Sequence, residues 1–275
     1  MHLMSYYWCI FVGVKKQKQY YLVRLQFLGY RFSGWQKQPG QKTIESMLLK
    51  TLKFVLPDRQ YKILGAGRTD AKVSALDAAF ELFLEGEPVD SIEDFKIDFN
   101  KNLPSDIRIL CIEHIKEKFN IIQHSKEKEY VYLFSFGEKN HPYAAPFMAN
   151  IQDDLDLKVM KEAAKMFNGT HNFKSYTAKP KENGKFIRTI TLSEIRENTI
   201  LQANFFPNNS YAFHIRGEGF MRYQVRMIMG VLIQIGKGEL QLSDIEKSLK
   251  KDSEVKFTSV APGSGLMLHS LEFNF

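Results

Sequence analysis

The chain has little sulfur to work with. Of 275 residues only Cys9 and Cys111 are cysteine, far apart and in no C-x-x-C arrangement, which excludes a disulfide scaffold and a zinc ribbon and fits a reducing, cytoplasmic setting. The seven histidines are scattered, with no His-x-x-x-His or His-x-Glu pairing, so no metal is expected. No apolar run reaches the ~20 residues that span a bilayer. The most apolar stretch, Met1 to Val14, is followed by Lys15 and Lys16 rather than preceded by basic residues. It also lacks a small-residue cleavage site, which is the wrong order for a secretory signal. No short fixed-period repeat is present, which excludes a solenoid.

What is present is an ordinary globular composition, 44% hydrophobic and 25% charged, sufficient for a real core. Lys and Arg outnumber Asp and Glu by 38 to 31, a formal charge of +7. That surplus favours an anionic partner, nucleic acid first, and is silent about fold.

Hydrophobic period then divides the chain. Tyr21, Val23, Leu25 and Phe27 alternate within a strand over Tyr20 to Leu28. From Thr43, an N-cap, Ile44, Met47, Leu48, Leu52 and Val55 recur at helical spacing until Pro57. Lys62 to Leu64 and Ala78 to Leu84 read as strands flanking a glycine-bearing loop, followed by a helix over Ile92 to Asn100 and strands over Ile107 to Ile112 and Glu129 to Phe136. After His141 to Asp154 the pattern begins again. Asp156 caps a helix that Gly169 ends; strands are expected over Ile187 to Glu197, Ile200 to Phe206 and Tyr211 to Ile215. A helix over Phe220 to Ile235, a capping box Ser243 to Glu246 and a closing strand Leu268 to Phe273 complete the chain.

The expectation is an α+β protein. Two similar split β-α-β halves of the ferredoxin/RRM-like kind would join antiparallel sheets into one platform, with an active-site cleft between the halves. Their limits fall at 19–140 and 141–275, with residues 1–18 an N-terminal extension.

The densest candidate for chemistry is Gly65-Ala66-Gly67-Arg68-Thr69-Asp70, where two glycines permit close backbone approach beside an arginine and a carboxylate. Taken alone, a glycine-flanked Asp after a strand is more often a solvated turn residue. A dinucleotide fingerprint is excluded, because the third glycine is missing and the loop leads to a strand.

Gly67-Arg68-Thr69-Asp70-Ala71-Lys72-Val73-Ser74-Ala75 resembles the nucleophile signature Gly-Arg-Thr-Asp-Ala-Gly-Val-His-Ala of the TruA tRNA pseudouridine synthases. Further segments agree in order: Tyr30 to Gln38, which holds the family's Gly-Trp-Gln as Gly34-Trp35-Gln36, then Asn102 to Arg108, Lys128-Glu129-Tyr130-Val131-Tyr132, His171 to Ser175 with Arg188-Thr189-Ile190, Phe220 to Arg226, and Ala261 to Leu266. The resemblance runs from Tyr20 to the C-terminus. It implies a cofactor-free isomerase that breaks the N-glycosidic bond of a uridine in tRNA, turns the base and rejoins it through carbon 5. The expected targets are nucleotides 38 to 40 of the anticodon arm.

By resemblance Asp70 is the nucleophile, Arg226 the cation that keeps it ionised and Tyr130 the ring that stacks on the base and assists proton removal at carbon 5. Arg68 contacts RNA as the base flips out, and Gly265 and Leu266 line the pocket. Arg31, Lys37 and Lys72, with Lys15, Lys16, Lys18 and Lys42, supply basic density for an RNA surface. A homodimer is implied too. Attack by Asp70 on the sugar and attack on the base ring use the same residues, so both stay open. The chain departs from the family pattern at Lys72 and Ser74, which stand for Gly and His. It departs again at Ile121-Ile122, which stand for Ala-Arg. These changes leave a shifted uridine specificity, or a non-catalytic RNA-binding protein on the same scaffold, as the alternatives.

Overall fold

A computed structural model describes residues 17–180 and 183–274. The apolar start, with Cys9, and the pair Lys15 and Lys16 lie outside the described residues. Among the described residues the order is β1 (Lys18–Phe27), α1 (Ile44–Val55), β2 (Tyr61–Gly65), β3 (Ser74–Glu85), α2 (Ile92–Asn102), β4 (Ile107–His114) and β5 (Ser125–Phe136). There follow β6 (Ala149–Ile151), α3 (Leu157–Lys165), β7 (Gly169–Asn172), β8 (Ile187–Glu197), β9 (Tyr211–Gly217), α4 (Gln224–Gly236), α5 (Leu242–Ser248) and β10 (Leu266–Phe273). The protein is mixed α/β, with one large, mostly antiparallel sheet in the order β4-β1-β3-β10-β5-β9-β8-β7. β2 adds to β3, and β6 adds to β5.

Alternation along the strands decides which face is covered. Tyr21, Val23, Leu25 and Phe27 of β1 and Phe80, Leu82 and Leu84 of β3 bury against Ile44, Leu48 and Leu52 of α1 and Phe95 and Phe99 of α2. Tyr132 and Phe134 of β5 and Phe213 and Ile215 of β9 bury against Met160 and Ala163 of α3 and Ile228, Leu232 and Ile235 of α4. Each such side chain contributes roughly 1.5–3 kcal/mol. Tyr130 packs against both clusters, so the two helical layers cover the same face and meet over β5. The sheet is continuous there because β10 inserts between β3 and β5. It runs parallel to β3 over Met267↔Ser74 and Leu268↔Ala75 and antiparallel to β5.

The opposite face is not left free. Ile115, Phe119 and Ile121 cover Leu22, Ala79 and Leu271 at one end. Ile200, Leu201, Phe205 and Phe206 pack on Val131, Leu133, Ala212 and Met267 nearer the centre. This corrects the strand expected over Ile200 to Phe206. Asn198 takes over the local backbone, accepting from the N–H of Ile200 at 3.0 Å and donating to the carbonyl of Leu201 at 2.9 Å. β8 pairs with β9 directly, and the apolar residues fold back as a flap.

Two helix starts also move. α4 begins at Gln224 rather than Phe220, because Tyr223 holds a left-handed conformation at φ 63°. α5 begins at Leu242, where the Asp244 carboxylate accepts the Gln241 N–H at 2.9 Å, so the expected box lies two residues late, inside the first turn. Thr43 does cap α1, sharing reciprocal bonds with Ser46.

Gly65, the last residue of β2, fixes the segment that precedes α1. Trp35 is buried, and a Cβ at Gly65 would stand 2.6 Å from its indole. Gly65→Ala is therefore expected to destabilise the protein by about 1–3 kcal/mol through overpacking. A denaturant midpoint unchanged from wild type would contradict the packing of Trp35 on this strand.

Candidate active site

The loop from Ala66 to Val73 leaves β2 and re-enters the sheet at β3, and its backbone is held from two sides. The Trp35 N–H donates to the Thr69 carbonyl at 3.0 Å, and the Lys72 N–H donates to the Phe32 carbonyl at 3.0 Å. Within the loop the Val73 N–H donates to the Asp70 carbonyl at 3.2 Å, closing a turn around Asp70. Two approaches require glycine. A Cβ at Gly29 would stand 1.9 Å from the Val73 carbonyl oxygen, and one at Gly263 would stand 2.4 Å from that of Ala71. Ser74, where the family signature has His, accepts the Gly29 N–H at 2.9 Å on its hydroxyl.

Below the loop, Lys128 and Tyr130 lie two residues apart on β5 and so face the same way. The Lys128 ammonium donates to the Ala66 carbonyl at 2.8 Å, and burial lowers its pKa. The ring of Tyr130 meets Phe220 edge-on, centroids 5.3 Å apart at 89°. Burial, with a smaller contribution from the Asp70 charge, pushes the Tyr130 hydroxyl up to about 12, so it is a neutral phenol at neutral pH.

Arg226 reaches the loop from the first turn of α4. Its Nη1 lies 3.3 Å from Asp70 Oδ2, and its Nε donates to the Ala261 carbonyl at 2.8 Å. The Ala261 N–H returns a bond to the Arg226 carbonyl at 3.0 Å. The two side chains are 15% and 27% exposed, so the pair is shielded without being sealed. Burial raises the Asp70 pKa; Arg226, through charge and hydrogen bond, and Arg222, through charge, oppose that rise without cancelling it. A carboxylate in this position is ionisable, opens onto the cavity and has an adjacent cation, which are the requirements for covalent catalysis by a carboxylate.

These groups share one cavity of about 790 Å³. Of the sequence-expected residues, Arg68, Asp70, Tyr130, Arg226 and Leu266 line it. Arg31, Lys37, Lys72 and Gly265 do not. Arg31 bridges Asp106 at 2.6 Å, and Lys72 places its ammonium 5.4 Å from the Tyr30 ring centroid. Gly265 lies beneath the wall, where a Cβ would meet the Leu133 carbonyl at 2.7 Å and the Tyr132 ring at 2.8 Å. The Lys37 N–H donates to Glu45 at 2.5 Å in the lip before α1. The lip also brings in Ser33, Gln36, Gln38 and Gln41, and the entrance to α4 brings in Phe220, Arg222 and Tyr223. Sequence reasoning missed all of these as site residues; Ser33, Gln36, Gln38, Phe220, Arg222 and Tyr223 stood inside quoted motifs with no role assigned, while Gln41 carried no signal beyond its place near Trp35.

At the second departure, Ile121 is buried and its N–H donates to Glu81 Oε2 at 3.2 Å; Ile122 is exposed. Neither lines the cavity. Among the described residues no group of three or more His, Cys, Asp or Glu side chains could hold a metal, and no helix is long and apolar enough to cross a membrane.

Comparison with known proteins adds what the chain is similar to. A family model described as tRNA pseudouridine synthase matches residues 163–274. The tRNA pseudouridine synthase A of Thermodesulfovibrio yellowstonii is 31% identical over 251 residues, covering 90% of this chain and 96% of the relative. That of Dictyoglomus thermophilum is 30% identical over 251 residues, covering 91% and 98%. The tRNA pseudouridine synthase A 2 of Bacillus cereus is 28% identical over 253 residues, covering 92% and 99%.

Lys72 sits at φ 66°, a region that disfavours a side chain. Lys72→Gly is expected to stabilise the protein by about 0.5–1 kcal/mol, and Gly263→Ala to destabilise it by about 1–3 kcal/mol. Equilibrium denaturation checks both; shifts of the opposite sign would contradict the grip on the loop.

Proposed function

The chain belongs to the tRNA pseudouridine synthase A family, and on that premise we propose that it isomerises uridine in the anticodon arm of tRNA, at nucleotides 38 to 40, with Asp70 as nucleophile. It is an isomerase, a tRNA pseudouridine synthase. The observation that carries the assignment of Asp70 is its pairing, across 156 residues of sequence, with Arg226 in a cavity floored by Tyr130.

The chemistry follows from what each group can do. Uridine must leave the stack before its glycosidic bond is reachable, at a cost of a few kcal/mol. Arg68, exposed at the cavity wall, is placed to hold the opened strand. The bond between N1 and C1′ breaks, the base turns, and C5 bonds to C1′. The proton lost from C5 is balanced by one gained at N1, so substrate and product are isomers and no co-reactant enters. Asp70 supplies the electron pair that holds the reacting fragment while the base turns. Tyr130, neutral at neutral pH, stacks on the base; once C5 has bonded to C1′ and Asp70 is a free carboxylate again, the phenol oxygen takes the C5 proton as its own proton passes to Asp70, so no phenolate forms. Leu266 lines the pocket, and Gly265 supports that wall from beneath. Arg31, Lys37 and Lys72, outside the cavity wall, serve the phosphate backbone.

The same reading divides the chain into two split β-α-β halves, 19–140 and 141–275, with the cleft between them, and takes the enzyme as a homodimer acting on tRNA. Light scattering at micromolar concentration tests the dimer, and a monomer would remove it.

Asp70→Ala is expected to abolish pseudouridine formation on unmodified tRNA transcripts while tRNA affinity stays within about threefold, since Asp70 meets one uridine and no phosphate, and the phosphate term dominates affinity. Product at a uridine outside the anticodon arm would keep the chemistry and overturn the assigned position. An active Asp70→Ala would overturn the nucleophile, and a wild type that binds tRNA without isomerising it would leave an RNA-binding protein. Because burial lifts Asp70 above an ordinary aspartate, kcat/KM should climb with pH above the usual carboxylate range and level off towards neutrality. A rate flat down to the ordinary aspartate range would contradict that environment.

A further inference from the structure

The entrance to α4 carries a strained residue at the centre of the site. Tyr223, at φ 63°, is its left-handed N-cap. A bulky residue is disfavoured there, and such strain persists only where the surroundings impose it. They do so here. The Met221 N–H donates to Gln224 Oε1 at 2.8 Å, the Gln224 N–H donates to the Met221 carbonyl at 3.0 Å, and the Met227 N–H donates to the Tyr223 carbonyl at 2.8 Å. The result turns the ring into the cavity.

Two guanidinium groups lie on that ring, Arg226 with its Cζ 5.1 Å and Arg222 with its Cζ 5.0 Å from the centroid. Like charges so placed repel, and the attraction of each cation to the negative face of the ring offsets this. Arg226 thus has three contacts that fix its plane: the Ala261 carbonyl, Asp70 and the Tyr223 face. Its bond to Asp70, at 3.3 Å, is long for a hydrogen bond, so the orientation of the guanidinium decides how well the charges meet.

We propose that Tyr223 is a positioning residue for the isomerisation: its ring, directed into the cleft by the left-handed backbone, holds the Arg226 guanidinium on Asp70 and keeps the nucleophile charged. This rests on the reading of Asp70 as nucleophile. The groups that face Asp70 are Arg226 and Arg222 from α4 and its entrance, Tyr130 from β5 and Arg68 from its own loop. Burial raises its pKa, so the charged form depends on the cations.

The test compares Tyr223→Phe with Tyr223→Leu in the full chain, on unmodified tRNA transcripts. Both keep a Cβ and the backbone strain, and thermal unfolding within a few degrees of wild type verifies the fold; only Phe keeps an aromatic face. The expected result is kcat within about twofold of wild type for Phe. For Leu, kcat falls at least about tenfold at pH 6, by less at pH 8, with KM for tRNA within about threefold. A purely structural role would not make the deficit grow as pH falls. A Leu variant with wild-type kcat, or with a deficit independent of pH, overturns the inference. Asp70→Ala run alongside separates the two levels. If it retains activity, the nucleophile assignment fails; if it is inactive while Leu behaves as wild type, only the role of Tyr223 fails.

Discussion

A carboxylate that is to act as a nucleophile has to be partly shielded from water and yet remain charged, and these demands oppose one another. In the role proposed for Asp70, the opposition is met by one interaction, with Arg226. Burial favours the neutral acid, and the guanidinium favours the anion. The rest of the structure can be read as what it takes to bring those two groups together from opposite ends of the chain. Asp70 hangs on a loop between neighbouring strands of the N-terminal part. Arg226 projects from the first turn of a helix in the C-terminal part. Strand β10 inserts between β3 and β5 and makes the sheet continuous below both.

Precision on the loop side comes from backbone rather than from side chains. Gly29 and Gly263 admit carbonyls at distances no Cβ would allow, and the Trp35 and Phe32 backbones bond to the loop from the flank. Precision on the helix side comes from the reciprocal bonds between Arg226 and Ala261 and from the Tyr223 ring. The two departures from the family signature spare this machinery. Lys72 accepts a left-handed backbone that suits glycine better and turns its ammonium onto Tyr30. Ser74 keeps a hydrogen-bond acceptor for Gly29. At the other departure Ile121 is buried with its N–H on Glu81, on the opposite face of the sheet from the cavity.

Much of the fold was legible because period decides burial. The strand at Tyr20 to Leu28 and the helix from Thr43 follow from alternation and from a cap. Failures came where apolar content and local hydrogen bonding disagreed. Ile200 to Phe206 reads as a strand by composition, but Asn198 claims its backbone and the residues cover the reverse face as a flap. The start of α4 was misplaced because nothing in Phe220 to Tyr223 marks a left-handed tyrosine. Asp70, Tyr130, Arg226, Arg68 and Leu266 were legible only through the resemblance, since each has an ordinary structural reading by itself. The glutamine lip and Tyr223 were not legible at all, because what makes them site residues is the cavity they enclose.

The most direct test of this view is the titration of the Asp70 carboxyl, followed by carbon NMR in free protein, in wild type and in Arg226→Met. If the arginine is what keeps the nucleophile charged, Asp70 titrates at higher pH in the variant, and the same variant, still folded and still binding tRNA, forms no pseudouridine at neutral pH. An Asp70 titration unmoved by Arg226→Met, or a variant that isomerises uridine at the wild-type rate, would contradict it.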